Sequence, residues 1–192
     1  LPVSSTGHLI LTTNVLGLQS EAVNSYTIVI QLGAILAVLA LYKDRALQMV
    51  LGVFCCNTAG LRLFLRLFTA FLPAVFFGLL FEDLIDAHLF HVLPVAGALV
   101  VGGVVIIAVE KLVVQPRTRL KGEGALKAMD EMTYLDAIII GLAQCLALWP
   151  GTSRSMATIV GGQLRGFSDR TAAEISFLLA LPTLGGATVY KL

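Results

Sequence analysis

The sequence predicts an all-α integral membrane protein: an inverted-topology repeat of transmembrane helices with two re-entrant helical hairpins that meet near the membrane midplane. Three observations carry that prediction. Hydrophobic residues make up 57% of the 192, charged residues only 13%, and mean hydropathy is +0.90, outside the range of an ordinary soluble domain. Two short polar stretches, Leu-Pro-Val-Ser-Ser-Thr-Gly-His at 1–8 and Trp-Pro-Gly-Thr-Ser-Arg-Ser at 149–155, interrupt the apolar sequence. Such backbone persists in hydrocarbon only where protein or a water-filled cavity surrounds it, so the two loops are expected to meet and to form a site. The third observation is a faint repetition at an offset of 148 residues: Pro2 matches Pro150, Ser5 Ser153, Leu16 Leu164, Ser20 Ser168, Leu36 Leu184, and Tyr42-Lys43 Tyr190-Lys191.

Taken in order, residues 7–18 read as the second half of the first hairpin. Apolar stretches follow at 26–42, 67–81, 89–109, 135–148 and 172–190. The fourth is broken by Trp149-Pro150-Gly151 and resumes at 156–164, which makes it two half-helices of the second hairpin rather than one span. Pro73, Pro94 and Pro182 are expected kinks, and the pairs Gly102-Gly103 and Gly185-Gly186 permit close helix approach. Residues 115–132, with Pro116, Gly122 and Gly124, read as a cytoplasmic loop between the repeats.

Lys and Arg near span ends favour the cytoplasmic side, which places three clusters inside: Lys43, Arg45, Arg62 and Arg66; Lys111, Arg117, Arg119, Lys121 and Lys127; Arg165 and Arg170. Glu82, Asp83 and Asp86 then fall outside, the first hairpin enters from outside, and the second from inside. The whole, 1–192, is one membrane domain, with 1–43 the first repeat core and 134–192 the second. The net charge of +1 gives no indication of a nucleic-acid partner. Cys55, Cys56 and Cys145 have no metal-ligand or disulfide spacing. The chain opens at Leu1 inside a motif, without Met or a charged leader, so it is expected to be a fragment lacking segments at both ends.

Arg154 is the one basic residue within an apolar hairpin. A guanidinium at that depth needs an anion, and its planar fork suits phosphate or carboxylate. Ser153, Ser155 and the N–H groups opening the following helix aim further donors the same way, after the Pro150-Gly151-Thr152 turn. The competing expectation is a structural pairing, for which Glu174 is the nearest in-chain candidate. The first loop supplies Ser4, Ser5, Thr6, Gly7 and His8: hydroxyls to donate or attack, a glycine that admits a ligand closely, and an imidazole that can move a proton near neutral pH. His88 and His91 read as interfacial residues. Gln31, alone in an apolar run, reads as a helix-packing contact or a cavity residue.

These residues resemble a known family. Leu-Pro-Val-Ser-Ser-Thr-Gly-His (1–8), Ile-Gln-Leu-Gly-Ala-Ile-Leu-Ala-Val (30–38), Met-Thr-Tyr (132–134), Gln-Cys-Leu-Ala-Leu-Trp-Pro-Gly-Thr-Ser-Arg-Ser (144–155) and Phe-Leu-Leu-Ala-Leu-Pro (177–182) are similar to the undecaprenyl pyrophosphate phosphatases, the bacitracin-resistance family, over essentially the whole chain. The resemblance implies a bacterial inner-membrane hydrolase that removes the terminal phosphate of a polyprenyl pyrophosphate, recycling the lipid carrier of peptidoglycan synthesis, with its centre open to the outer face. Carried over by motif, Arg154 would clamp the pyrophosphate, and Ser5 and His8 would be candidates for nucleophile or acid–base catalyst. Ser4, Thr6, Gly7, Gly151, Thr152, Ser153, Ser155 and Thr158 would line the site. A divalent cation, Mg2+ or Ca2+, is the expected cofactor, and the oligomeric state is left open.

The chain departs from the family pattern in three ways. The Glu-x-x-x-Glu segment expected upstream of the first motif, whose carboxylates would orient His8 or a metal, is not in this sequence. Thr27 stands where Glu is usual, and Met156 stands where a small residue is usual, which could narrow the pocket. Two other classes compete. A polyprenyl-phosphate carrier, flippase or anion transporter would use the same Arg and hydroxyls without hydrolysis, but needs no proton-transfer group such as His8. The soluble-type acid phosphatases share Ser-Gly-His and Ser-Arg elements, but their Lys-x6-Arg-Pro element and final His-Asp are not found.

Overall fold

The computed structural model describes residues 3–17, 30, 33–55, 57–89, 91–121 and 126–191. Every element among them is helical except one isolated parallel bridge between Lys127 and Phe167. The predicted span 26–42 lies partly outside the described residues, as do Thr27 and Gln31; residues 33–41 are helical up to a turn at Tyr42.

Helix α1, Ser5–Leu16, is capped by Ser4, whose Oγ accepts the Gly7 N–H at 3.1 Å, and it stops at Gly17 in the left-handed region (φ 64°). Helix α2, Lys43–Phe54, and helix α3, Thr58–Leu89, form a tight pair. Asn57 Oδ1 caps α3 by accepting the N–H groups of Ala59 and Gly60 at 3.1 and 3.2 Å. The pair is possible because both facing residues are glycines: a Cβ on Gly60 would lie 1.8 Å from the Gln48 carbonyl oxygen, and one on Gly52 2.2 Å from the Leu61 nitrogen. Residues 43–54, read from the sequence only for the cytoplasmic charges Lys43 and Arg45, are therefore helical, and α3 begins well before the predicted start at residue 67.

After a turn at His91, helix α4 (Val92–Val109) passes through a wider π-type turn, Glu110–Val114, into helix α5, Gln115–Lys121. The predicted loop 115–132 thus starts later than expected. Pro116 cannot give an N–H to a preceding carbonyl, and sitting at the second residue of α5, directly after the widened turn, it leaves the rod unbroken. Segments 58–85 and 92–120 are 28 and 29 residues, with mean hydropathy 2.1 and 2.7 over their most apolar 18 residues, long and apolar enough to cross a membrane. Their outward faces carry exposed Leu72, Phe76, Leu80, Leu93, Val100 and Val104.

Helix α6 (Tyr134–Cys145) opens with a capping box at Thr133 and Asp136 and ends in the tight turn Leu146–Leu148. Helix α7, Arg154–Leu164, folds back against α6 as a helical hairpin, and helix α8, Asp169–Lys191, packs on α7 and α3. The core gathers Leu67 and Ala70 of α3, Ile140 of α6, Ile175 and Leu178 of α8, and Met132. At its heart α3 and α6 nearly touch, since a Cβ on Gly141 would sit 2.4 Å from the Ala70 carbonyl oxygen.

All three predicted basic clusters contribute to one end of the bundle. Arg45 pairs with Glu174 (3.2 Å) and Asp130 (3.6 Å), Arg66 donates to the Asp130 carbonyl, and Arg117 donates to the Gln163 carbonyl that ends α7. Asp136, fully buried, receives Arg165 at 2.6 Å and Lys127 at 3.1 Å, and also accepts the Thr133 N–H and hydroxyl. That carboxylate ties the start of α6 to the end of α7, fixing the base of the hairpin whose far end carries Arg154.

Candidate active site

The two polar loops meet. A Cβ added to Gly7 would lie 3.1 Å from the Gly151 Cα, and one added to Gly151 would strike the Val95 carbonyl oxygen of α4 at 2.5 Å. Gly151 is left-handed at φ 97°, which only glycine adopts without strain. Trp149 Nε1 donates to the Pro94 carbonyl at 3.2 Å, and the Thr152 N–H closes the turn on the Trp149 carbonyl at 3.0 Å. Both loops end in the same device: Ser153 caps α7 by accepting the Met156 N–H at 3.3 Å, as Ser4 caps α1. The caps are one residue out of register with the offset of 148, which pairs Ser153 with Ser5.

Around this contact lie two cavities. A small one of about 70 Å³ touches Ser4, Gly151, Ser153 and Met156 on one side and Ala98 and Gly102 of α4 on the other. Met156 fits because Gly102 faces it; a Cβ there would be 3.1 Å from the Met156 Cε. A large one of about 520 Å³ runs between α3, the end of α6, α7 and α8. Its walls are mainly apolar, including Phe71, Val75, Gly78, Leu79 and Leu148, with Arg154, Gln144, Glu82 and Thr183 as polar members. The Thr183 hydroxyl is engaged by the Leu179 carbonyl.

Arg154 occupies the first position of α7, and its Nη1 is buried without a hydrogen-bond partner. The structural pairing considered for it does not form, because Glu174 is held by Arg45. A buried guanidinium donor without a partner, beside the N–H groups of a helix start, is an arrangement that would stabilise an anion.

The remaining predicted residues divide by exposure. Ser4 and Ser153 are buried by their capping roles and Gly7 and Gly151 by their mutual contact, whereas Ser5, Thr6 and His8 are exposed on the first turn of α1. His8 Nδ1 lies 2.8 Å from the Ser4 carbonyl oxygen. A carbonyl only accepts, so Nδ1 carries a proton, and in the neutral ring the lone pair that can take a proton is then on Nε2. Ser155 Oγ is 3.0 Å from Ser153 Oγ, and Thr152 is half-buried. Thr158 is fully buried, with its hydroxyl 2.7 Å from Ser176 Oγ and within reach of the Arg154 and Ser155 carbonyls, which joins α7 to α8.

Among the described residues no three His, Cys, Asp or Glu side chains come together as a metal site. Among the described residues, Glu82 is the one carboxylate lining the Arg154 cavity.

Two cavity residues were not singled out from the sequence. Glu82 read as an outer-loop acid, and Gln144 as part of an apolar motif. A lone amide near the end of an apolar half-helix was the available signal for Gln144.

A profile of the family described as Bacitracin resistance protein BacA matches residues 1–192. Among curated relatives, the undecaprenyl-diphosphatase of Sorangium cellulosum is 55% identical over 192 residues, all of this chain and 61% of its own length. That of Clostridium tetani is 43% identical over 192 residues, again all of this chain and 68% of its own length. That of Ectopseudomonas mendocina is 47% identical over 194 residues, covering all of this chain and 66% of its own length. The chain thus spans roughly two thirds or less of the length of these relatives.

Proposed function

Since the chain belongs to the Bacitracin resistance protein BacA family, we propose that the protein hydrolyses the terminal phosphate of undecaprenyl diphosphate, giving undecaprenyl phosphate and inorganic phosphate. The observation that carries this reading is the buried, unpartnered Nη1 of Arg154 at the wall of an apolar cavity of about 520 Å³. An anionic head and a long apolar tail are what such a cavity accommodates. The names of the relatives supply the substrate, and the same reaction would regenerate the carrier lipid of peptidoglycan synthesis and confer bacitracin resistance.

In this reading Arg154 and the N–H groups opening α7 neutralise the diphosphate, and charge neutralisation with in-line positioning is most of what phosphoryl transfer requires. The oxygen of Ser5 or of a water attacks the terminal phosphorus and the bond from that phosphorus to the bridging oxygen breaks. The lipid phosphate leaves, and His8 Nε2 takes the nucleophile's proton; where Ser5 is the nucleophile, a water then attacks the phosphoserine, breaking its P–O bond to release inorganic phosphate and restore the Ser5 hydroxyl. Ser4, Thr6, Gly7, Gly151, Thr152, Ser153 and Ser155 form the meeting loops, and Thr158 holds α7 in place. A divalent cation would add charge neutralisation. A hard cation that shares phosphate oxygens is held by one or two carboxylates, and Glu82 is the described residue that could serve.

The α1 tip and the α6–α7 hairpin are read as re-entrant elements of an inverted repeat in the bacterial inner membrane. The cavity would face outward, because Glu82 and Ile85 line it at the end of α3 away from Arg62 and Arg66.

The test is phosphate release from undecaprenyl diphosphate by the full-length protein in detergent, beside an Arg154→Ala variant. Release should fall by about 10²-fold or more in the variant. A wild type that binds the lipid but releases no phosphate would refute hydrolysis and favour a carrier.

A further inference from the structure

Gln144 is 2% exposed, and both its amide nitrogen and its amide oxygen are buried without a hydrogen-bond partner. No other side chain among the described residues leaves two such atoms unpartnered, and Gln144 lines the same cavity as Arg154. Buried amides are ordinarily paired, and a glutamine used only for packing gains nothing over a methionine of similar length. A ligand that meets this amide would satisfy it by offering an acceptor to Nε2 and a donor to Oε1. A tail of isoprene units offers neither. A diphosphate offers the acceptors, and water hydrating that diphosphate offers the donor.

We propose that Gln144 is a second phosphate-binding residue, its Nε2–H donating to an oxygen of the lipid diphosphate beside Arg154 while its Oε1 accepts from water bound to the same group. This rests on the phosphatase reading above. The placement is rigid, because Gln144 stands one turn from the Gly141–Ala70 contact and just before the tight turn Leu146–Leu148. Arg154 supplies charge, and Gln144 supplies a neutral donor and acceptor that a purely apolar wall would lack. The amide is thus a fixed polar contact for the head of the ligand beside Arg154.

The experiment compares full-length wild type with Gln144→Met and Gln144→Glu, reading KM and kcat for undecaprenyl diphosphate and the melting temperature without lipid. Gln144→Met should raise KM about tenfold or more, the worth of one hydrogen bond to a charged group. Its melting temperature without lipid should stay level or rise, because no internal hydrogen bond is lost. Gln144→Glu should raise KM further, by setting a carboxylate against the anion. An unchanged KM in Gln144→Met, or a drop in melting temperature with KM unchanged, would overturn the assignment and make Gln144 a packing residue. If Gln144→Met does not fold, Gln144→Glu decides alone: KM at the wild-type value overturns it. Failure of the phosphatase reading would show separately, as absence of phosphate release by wild type.

Discussion

Replacing Gly151 by alanine would test how the Arg154 turn is held. At φ 97° an alanine sits in backbone space that costs it about 1–2 kcal/mol. Its Cβ would also lie 2.5 Å from the Val95 carbonyl oxygen, 3.0 Å from the Val95 Cα and 3.1 Å from the Ala98 Cβ. Two of those three atoms are backbone of α4 and cannot rotate away, so an overpacking cost of about 1–3 kcal/mol is added. The sum, about 2–5 kcal/mol, corresponds to a melting temperature lower by at least about 4 °C in a fold of this size. The assay is thermal unfolding in detergent with phosphate release measured in parallel, because the displaced turn also carries Arg154. Gly97→Ala on α4 is the control: a Cβ there meets nothing within 4 Å, so that variant should gain roughly 0.5–1 kcal/mol. A Gly151→Ala protein that melts with wild type and releases phosphate at the wild-type rate would refute the account of the turn.

Two further variants examine the supports of the hairpin. Asp136→Asn removes the charge that binds Arg165 and Lys127 to the hairpin base. Both cations are partly exposed, so the loss in unfolding free energy should be about 2–4 kcal/mol, toward the low end for a broken buried pair. Denaturant unfolding followed by circular dichroism would measure it, and a change below about 0.5 kcal/mol would show that the clasp is decorative. Thr158→Val deletes the hydroxyl between α7 and Ser176, and should cost roughly 1–3 kcal/mol by leaving the Ser176 hydroxyl buried without that partner. Ser176→Ala combined with it should cost less than the sum of the two single changes, and strict additivity in the double-mutant cycle would refute the contact.

What the sequence made legible follows the physics of local signals. A lone Arg in an apolar segment, a Pro-Gly turn and a serine before a helix are each readable from neighbours, and all three mark the 149–155 tip correctly. The meeting of that tip with Gly7 was also inferable, since two polar loops in apolar surroundings have few other places to go. Charge marked one end of the bundle, and all three basic clusters have members there. Helix α2 was not legible, because residues 43–54 fall between the apolar stretches and their lysine and arginine were read only as charges, until the Gly52–Gly60 contact is seen. Gln144 and Glu82 were missed for a different reason: which side of a helix faces a cavity depends on a crossing with an element far away in sequence. Ser5 and His8, prominent by type, are exposed on α1, while two residues that line the large cavity, Gln144 and Arg154, carry buried polar atoms without a partner.

The close contact between Gly141 and Ala70 acts as the pivot of a pair of scissors. Beyond it, Ala74, Gly78 and Glu82 follow at four-residue steps along one face of α3, while Gln144 near the end of α6 and Leu148 in the turn after it stand opposite, Leu148 lying 3.5 Å from where a Cβ on Gly78 would be. The large cavity is the opening between them. From Gly141 to Leu148 is a helical path of about 10 Å, so a small change of angle at the pivot is magnified at the mouth. The width that the cavity would offer to a long apolar chain is therefore set by two small residues outside its lining.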